Sequence, residues 1–338
     1  MPQNSLESSA FEVEERGWFC VPSPLVSRER VVRVSTGVAR GLVRGAGAVR
    51  EVWRSAPGGS AWVEVQAGVG PARVLVRLEA PVGERLPERY RIESDDGGSG
   101  WRPELEVVGN AARTRAHLIE FDGQSAVRVV FDELGAGGQA ALARIDVHDA
   151  SNGADDVWLV LGDALAGAGL SEQGGARGFA PGVHASYPGY FPALIDESQA
   201  GETPAGLLAR LGSLLEVHAH ARRVALSFDS TPAGADAAAL GELAATLLAA
   251  GRIPLFARAP VVASPPAAEV AAFNARLAEL ELEHGLPRGP DPSAWAEAWR
   301  RAAAAPGSAE TPVELPVEAR DALSALWVEA ADVFYVPQ

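Results

Sequence analysis

Between residues 30 and 150 apolar positions recur at every second residue, in short runs separated by clusters of Gly, Pro and Asp. That period is the signature of half-buried strands. The runs Ala61–Val65, Arg73–Leu78, Tyr90–Glu93, Ala126–Phe131 and Ala143–Val147 recur at the spacing of a β-sandwich of roughly eight strands. The Arg and Glu residues that alternate with them are expected on its solvated face. After Asp149 the polar stretch Ser151–Asp155 leads into a different texture. Val157–Leu161, Arg223–Phe228 and Ile253–Phe256 are continuous apolar runs, as buried parallel strands require. Amphipathic helices are predicted over Pro204–His218, Ala237–Ala250, Ala267–His284, Pro292–Ala304 and Pro316–Ala331, several opening on a proline. Strand and helix alternation of this kind predicts a doubly wound parallel sheet. The expected organisation is an extension over 1–28, a sandwich over 29–150 and an α/β domain over 155–338.

A chain of 338 residues is long enough for two such cores. Its basic residues are 29 arginines and no lysine. This excludes Schiff-base and PLP chemistry, P-loop hydrolases and protein kinases, all of which need a lysine amine. A formal charge of -15 leaves no basic footprint for nucleic acid or an anionic bilayer. Cys20 is the single cysteine, so an intrachain disulfide, an iron–sulfur cluster and a thiolate zinc site are excluded. Glu7, Glu12, Glu14 and Glu15 stand where a secretory leader needs a basic start and an apolar stretch. The expectation is a cytoplasmic protein, or an exported one whose leader has been removed. No apolar run approaches the ~20 residues of a spanning helix, so no membrane insertion is expected. His218 and His220 are two residues apart and do not share a helix face; neither a metal nor a cofactor is expected.

In a doubly wound sheet the residues that act lie just past the carboxyl ends of the strands. The first such turn follows Val157-Trp-Leu-Val-Leu-Gly-Asp-Ala164, which resembles the first block of the SGNH (GDSL) hydrolases. The resemblance implies a flavodoxin-like fold and places Ala164 where the family has its nucleophilic serine. Ala200-Gly-Glu-Thr203 is similar to the second block, which makes Gly201 the match to a glycine whose amide serves the oxyanion hole. In Asp229-Ser-Thr-Pro232, Thr231 stands where the family has an oxyanion-hole asparagine. In Thr311-Pro-Val-Glu-Leu-Pro316, Thr311 and Glu314 stand at the aspartate and histidine positions. Acyl transfer needs a nucleophile, a base, an orienting carboxylate and oxyanion donors. Only Gly201 is retained, so the resemblance implies a pseudoenzyme with no catalytic residues.

Tyr90–Gly97 with Trp101, Ala126–Val129 and Ile145–Asp149 resemble a discoidin-type (jelly-roll) sandwich, a fold frequent among carbohydrate-binding modules. A sandwich ahead of an SGNH domain is similar to two-domain carbohydrate acetylesterases. The residues expected to touch a ligand are Asp163, Gly201, Asp229, Glu314, His184 and Tyr187 around the α/β cleft, with Asp95 and Trp101 on the sandwich. Asp163, Glu197, Asp229 and Glu314 are also the carboxylates from which an acid and base pair or a calcium site would be built. Exposed indoles are platforms for sugar rings, and Trp101, after the glycine-rich stretch Gly97–Gly100, is preferred to Trp53, Trp62, Trp295 and Trp299. The expected function is non-catalytic binding of a polysaccharide or acylated glycan. The alternatives are a structural or assembly protein that contacts a protein partner, and an esterase or glycan hydrolase with a rebuilt carboxylate site.

Overall fold

The computed structural model describes residues 18–39, 41–44, 51–58, 60–95, 97–98, 100–134, 138–163, 167, 169–170, 178–228, 236–260, 267–295 and 317–336. The chain divides into two compact units. One is the continuous segment Val21–Ala154; the other combines Met1–Cys20 with Asp155–Gln338.

The first unit carries β1 (Val32–Val34), β2 (Trp53–Arg54), β3 (Ala61–Gln66), β4 (Arg73–Glu79), β5 (Arg89–Asp95), β6 (Trp101–Val107), β7 (Thr114–Glu120), β8 (Ala126–Glu133), β9 (Ala141–Leu142) and β10 (Arg144–Asp149). A five-stranded sheet runs β1-β3-β8-β5-β6 and a three-stranded sheet β10-β4-β7, both antiparallel, beside a β2-β9 pair. The alternation builds a single core between the two larger sheets: Val63, Val65, Ile92, Val127, Val129 and Phe131 from one, Val74, Val76, Leu78, Ile119, Ile145 and Val147 from the other. Tyr90 and His117 meet within it, hydroxyl to Nε2, at 2.7 Å.

The expected solvated face of alternating charges is corrected on β4 and β10. Arg77 is 4% exposed and Asp146 1%, and Arg77 bridges Asp146 at 3.1 Å and Glu79 at 2.7 Å. Burial by itself raises the Asp146 carboxyl, but the guanidiniums of Arg44, Arg144 and Arg77 outweigh it and hold the group at about 2. Burial pushes Arg44 down to about 9 and His148 down to about 4. The pattern of Arg and Glu at every second residue is the same for a wet face and for a buried ion-pair ladder, so periodicity does not separate them.

The second unit contains β11 (Val157–Gly162), α1 (Phe179–Ser186), β12 (Ala193–Asp196), α2 (Pro204–Val217), β13 (Arg223–Ser227), α3 (Asp236–Ala249), β14 (Ile253–Phe256), α4 (Ala267–His284) and α5 (Val317–Ala331), with 3-10 turns at Pro292–Trp295 and Asp332–Phe334. The strands form a parallel sheet in the order β12-β11-β13-β14. Helices α2, α3 and α4 pack in succession, while α1 packs on α5. α2 begins in the way its sequence suggests: Thr203 Oγ1 accepts from the Gly206 amide at 3.1 Å and Pro204 occupies the first turn. Of the helix expected over Pro292–Ala304, Pro292–Trp295 form a 3-10 turn, and 296–304 lie outside the described residues. No helix among the described residues is long and apolar enough to cross a membrane.

Residues Trp18–Cys20, within the expected extension, join the α/β unit as a strap. The Cys20 amide donates to the Phe334 carbonyl at 2.7 Å, Arg223 Nη2 donates to the Trp18 carbonyl at 2.7 Å, and Trp18 packs on Phe334. Residues on the sandwich side of Cys20 bond to β10 instead, with the Val26 amide on the Val147 carbonyl at 2.9 Å.

Candidate functional site

The parallel register puts Gly162, Asp196, Ser227 and Phe256 at one end of the sheet, where strand carboxyl ends converge. Gly162 has φ 90, and a Cβ there would overlap the Ser227 carbonyl oxygen. Only glycine fits, because β11 and β13 are drawn together where the chain leaves the sheet. The Asp163 amide donates to that same carbonyl at 2.7 Å. The Asp163 side chain, buried, accepts from the Gly201 amide at 2.9 Å. Gly201 itself has φ 73, a conformation that favours glycine.

The turn that carries Gly201 is held from below by α2. Arg210 forms a bidentate pair with Glu202, both contacts 2.6 Å, and donates to the Glu197 carbonyl at 2.8 Å. Glu197 also approaches the buried ring of His218, Oε1 to Nε2, at 3.3 Å. This Arg210 clamp was not anticipated from the sequence. Its only signal there is an arginine inside an apolar helix eight residues after a glutamate. Beside Ser227 a cavity of about 10 Å³ lies between Ala257, Pro290 and Trp327, room for about one water molecule.

Of the residues expected to converge, Asp163 and Gly201 are brought into contact. Ala164, Asp229, Thr231, Thr311 and Glu314 lie outside the described residues. His184 and Tyr187 do not join Asp163, which corrects their expected place at the cleft. They belong to the end of α1 and the loop before β12, and so sit at the amino end of the parallel strands. There His184 Nδ1 lies 3.1 Å from the Tyr190 carbonyl and its ring packs on Phe191. Tyr187 stacks with Tyr190 and Tyr335 and bonds to Asp332. Asp332 in turn borders a cavity of about 380 Å³ between α1 and α5 that also carries Asp321 and Glu329.

At the same amino end, Asp156 is a buried hub. Its Oδ1 accepts from Trp158 Nε1 at 3.1 Å, from the Tyr335 hydroxyl at 3.1 Å and from the Cys20 thiol at 3.5 Å. Burial pushes the Asp156 carboxyl up to about 6, against the pull of Arg223. The Cys20 thiol is raised by burial and then by Asp156. Such a thiol is a packed group and a poor nucleophile.

On the sandwich, Asp95 Oδ1 accepts from the amides of Ser125 and Ala126 at 2.7 and 2.9 Å, and Oδ2 from the Ser125 hydroxyl at 3.0 Å. The carboxylate thereby fastens the turn into β8. Trp101 opens β6 opposite Asp95, and the Arg128 guanidinium lies 3.9 Å from its ring centroid. Trp53 is in the core. Among the described residues no group of three or more His, Cys, Asp or Glu has the geometry to hold a metal ion.

No protein-family model matches the sequence, and no curated protein does so either. Similar solved structures include an esterase and carbohydrate-binding modules. The esterase EstA from Pseudoalteromonas sp. is 17% identical, covers 53% of this chain and 97% of its own, and has a TM-score of 0.42. A chitosan-binding module of a chitosanase/glucanase from Paenibacillus sp. IK-5 is 16% identical, covers 36% of this chain and 97% of its own, and has a TM-score of 0.30. The protein YXIM of Bacillus subtilis is 13% identical, covers 83% of this chain and 87% of its own, and has a TM-score of 0.45.

Proposed function

We propose that the protein binds a polysaccharide or an acylated glycan without hydrolysing it, on an SGNH-like α/β domain joined to a discoidin-like sandwich. The observation that carries the reading is the Asp163–Gly201 hydrogen bond. By resemblance the Gly201 amide is the retained oxyanion donor, and here it is engaged by a carboxylate of the chain itself. A carboxylate at that place also opposes the negative charge that develops in acyl transfer. The next residue is Ala164, whose methyl group has no oxygen with which to attack an acyl carbon. The ligand class rests on the resemblance to carbohydrate acetylesterases and on the indole-bearing face of the sandwich.

The test uses the purified full-length chain. It is expected to release no acetate from acetylated xylan or p-nitrophenyl acetate above a heat-treated control, and to be retained in affinity electrophoresis through at least one polysaccharide. Ala164→Ser alone is expected to remain inactive, since loss of a single oxyanion donor already costs ~10²–10³ in rate. Turnover by the unmodified protein that Glu314→Gln or Asp229→Asn abolishes would establish the rebuilt carboxylate site instead. Failure of every polysaccharide to retard the chain overturns the glycan reading.

A further inference from the structure

The outer face of the five-stranded sheet is set by the same alternation that fills the core. Val63, Val65, Val127, Val129 and Ile92 point inward, which leaves Trp62, Glu64, Arg128, Asp132, Arg91 and Glu93 outward. Glu64 lies opposite Arg128 in the β3–β8 pair, and Glu93 opposite Arg128 in the β5–β8 pair. The Arg128 guanidinium is 4.6 Å from the centroid of Trp62 and 3.9 Å from that of Trp101. Its Nη2 donates to Glu64 Oε2 at 3.2 Å, and Glu64 also pairs with Arg33 at 3.3 Å. Arg128 Nε is buried and makes no hydrogen bond. The Arg128 side chain remains 21% exposed, and both indoles are half-buried.

From this geometry we infer that Trp62, Arg128 and Trp101 form a recognition surface for an uncharged polysaccharide, seated on the sheet rather than on the loop over Asp95–Gly100. The inference rests on the glycan reading above and gives it a place and a charge class. The guanidinium carbon lies over both indole rings, and the part of the side chain that stays exposed offers N–H donors of the kind that suit the hydroxyl or ester carbonyl oxygens of a sugar. Flexible side chains normally lose rotamer freedom when they bind; Arg128 is already held by two rings and a carboxylate. Across this face Arg33, Arg91 and Arg128 are matched by Glu64, Glu93 and Asp132, with Arg91 paired to Glu93 at 2.7 Å and also to Asp132. A polyelectrolyte would have to break these pairs, and a polyanion would also meet the net charge of -15. An uncharged chain does neither.

The test is affinity electrophoresis of the full chain through galactomannan, hydroxyethylcellulose and acetylated xylan, with polygalacturonate and chitosan as charged comparisons, and melting temperature measured in parallel. The expected result is retardation by an uncharged polymer, weakened at least tenfold by Trp101→Ala and by Arg128→Gln and restored by Trp101→Phe. Because Trp62→Ala removes a large side chain from the sheet, Arg128→Gln, which keeps two of the three methylenes, is the variant that decides if Trp62→Ala fails to fold. Retardation of the wild type that Arg128→Gln and Trp101→Ala leave unchanged overturns the site while the glycan reading stands. Retardation by polygalacturonate or chitosan alone overturns the charge class. The absence of retardation by any polymer removes both the site and the reading beneath it.

Discussion

Asp156→Asn isolates the effect of the buried hub on stability. Burial raises the Asp156 carboxyl from 3.8 to about 6, so between these values the folded state holds a proton that the unfolded chain has released. Stability supplied by this group is therefore complete only well below pH 3.8 and is lost as pH rises through 6. At 1.36 kcal/mol for each tenfold change in acidity, the whole effect is about 3 kcal/mol, of which more than about 2 kcal/mol falls between pH 4 and pH 7. The amide keeps an oxygen for the Trp158, Tyr335 and Cys20 donors and does not titrate. Urea unfolding of both proteins at the two pH values gives a difference in which every other titrating group cancels, His148 included. The difference is expected to move in favour of the variant by more than about 2 kcal/mol between pH 4 and pH 7. A difference constant to within about 0.5 kcal/mol, or one that moves the other way, refutes the argument.

Two further outcomes follow from the geometry. Gly162→Ala places a methyl group against the Ser227 carbonyl at a φ that L-residues avoid; a loss of at least about 2 kcal/mol is expected in denaturant unfolding, and a loss below 0.5 kcal/mol would show that β11 and β13 part easily. Excision of Val21–Ala154, with Cys20 joined to Asp155 through a few glycines, is expected to give a cooperatively melting α/β unit, because Cys20 Sγ already lies 3.5 Å from Asp156. A fragment that begins at Asp155 is expected to melt lower and to bind a hydrophobic dye, since Arg223 and Phe334 lose their strap partners; equal melting of the two proteins contradicts this.

Long amphipathic helices, alternating strands and unbroken apolar runs were legible in the sequence. Ala267–His284 and Ile253–Phe256 have the predicted bounds, and β3, β4, β8 and β13 differ by a residue or two. β6 was missed because Trp-Arg-Pro-Glu-Leu-Glu-Val carries a proline and little alternation, as an edge strand tolerates. β12, Ala-Leu-Ile-Asp, was missed because its apolar run stops at an aspartate after three residues, whereas β14, also four residues at a sheet edge, is apolar throughout. α1 was missed because Pro181 and Gly182 stand inside its first turn and a half. At the site, the turn after β11 was legible because Gly162 and Asp163 follow an unbroken apolar run. The partners that immobilise it were not, since Arg210 and Glu202 are eight residues apart and meet only once α2 and the turn before it have formed. His184 and Tyr187 were misplaced for the same reason: chain proximity to a strand does not say which end of the sheet a loop serves.

The strap contact between Cys20 and Phe334 joins residues that lie on either side of the continuous Val21–Ala154 unit in sequence, and this orders events during synthesis. Trp18–Cys20 leave the ribosome before the sandwich, yet their partners Asp156, Arg223 and Phe334 follow only after it. The sandwich, being one continuous segment, can close while translation proceeds. The α/β unit cannot, since Asp156 and Cys20 wait for the contacts that Tyr335 and Phe334 supply. During that interval the Cys20 thiol is open to alkylation, and its protection marks the moment at which the α/β unit completes its core.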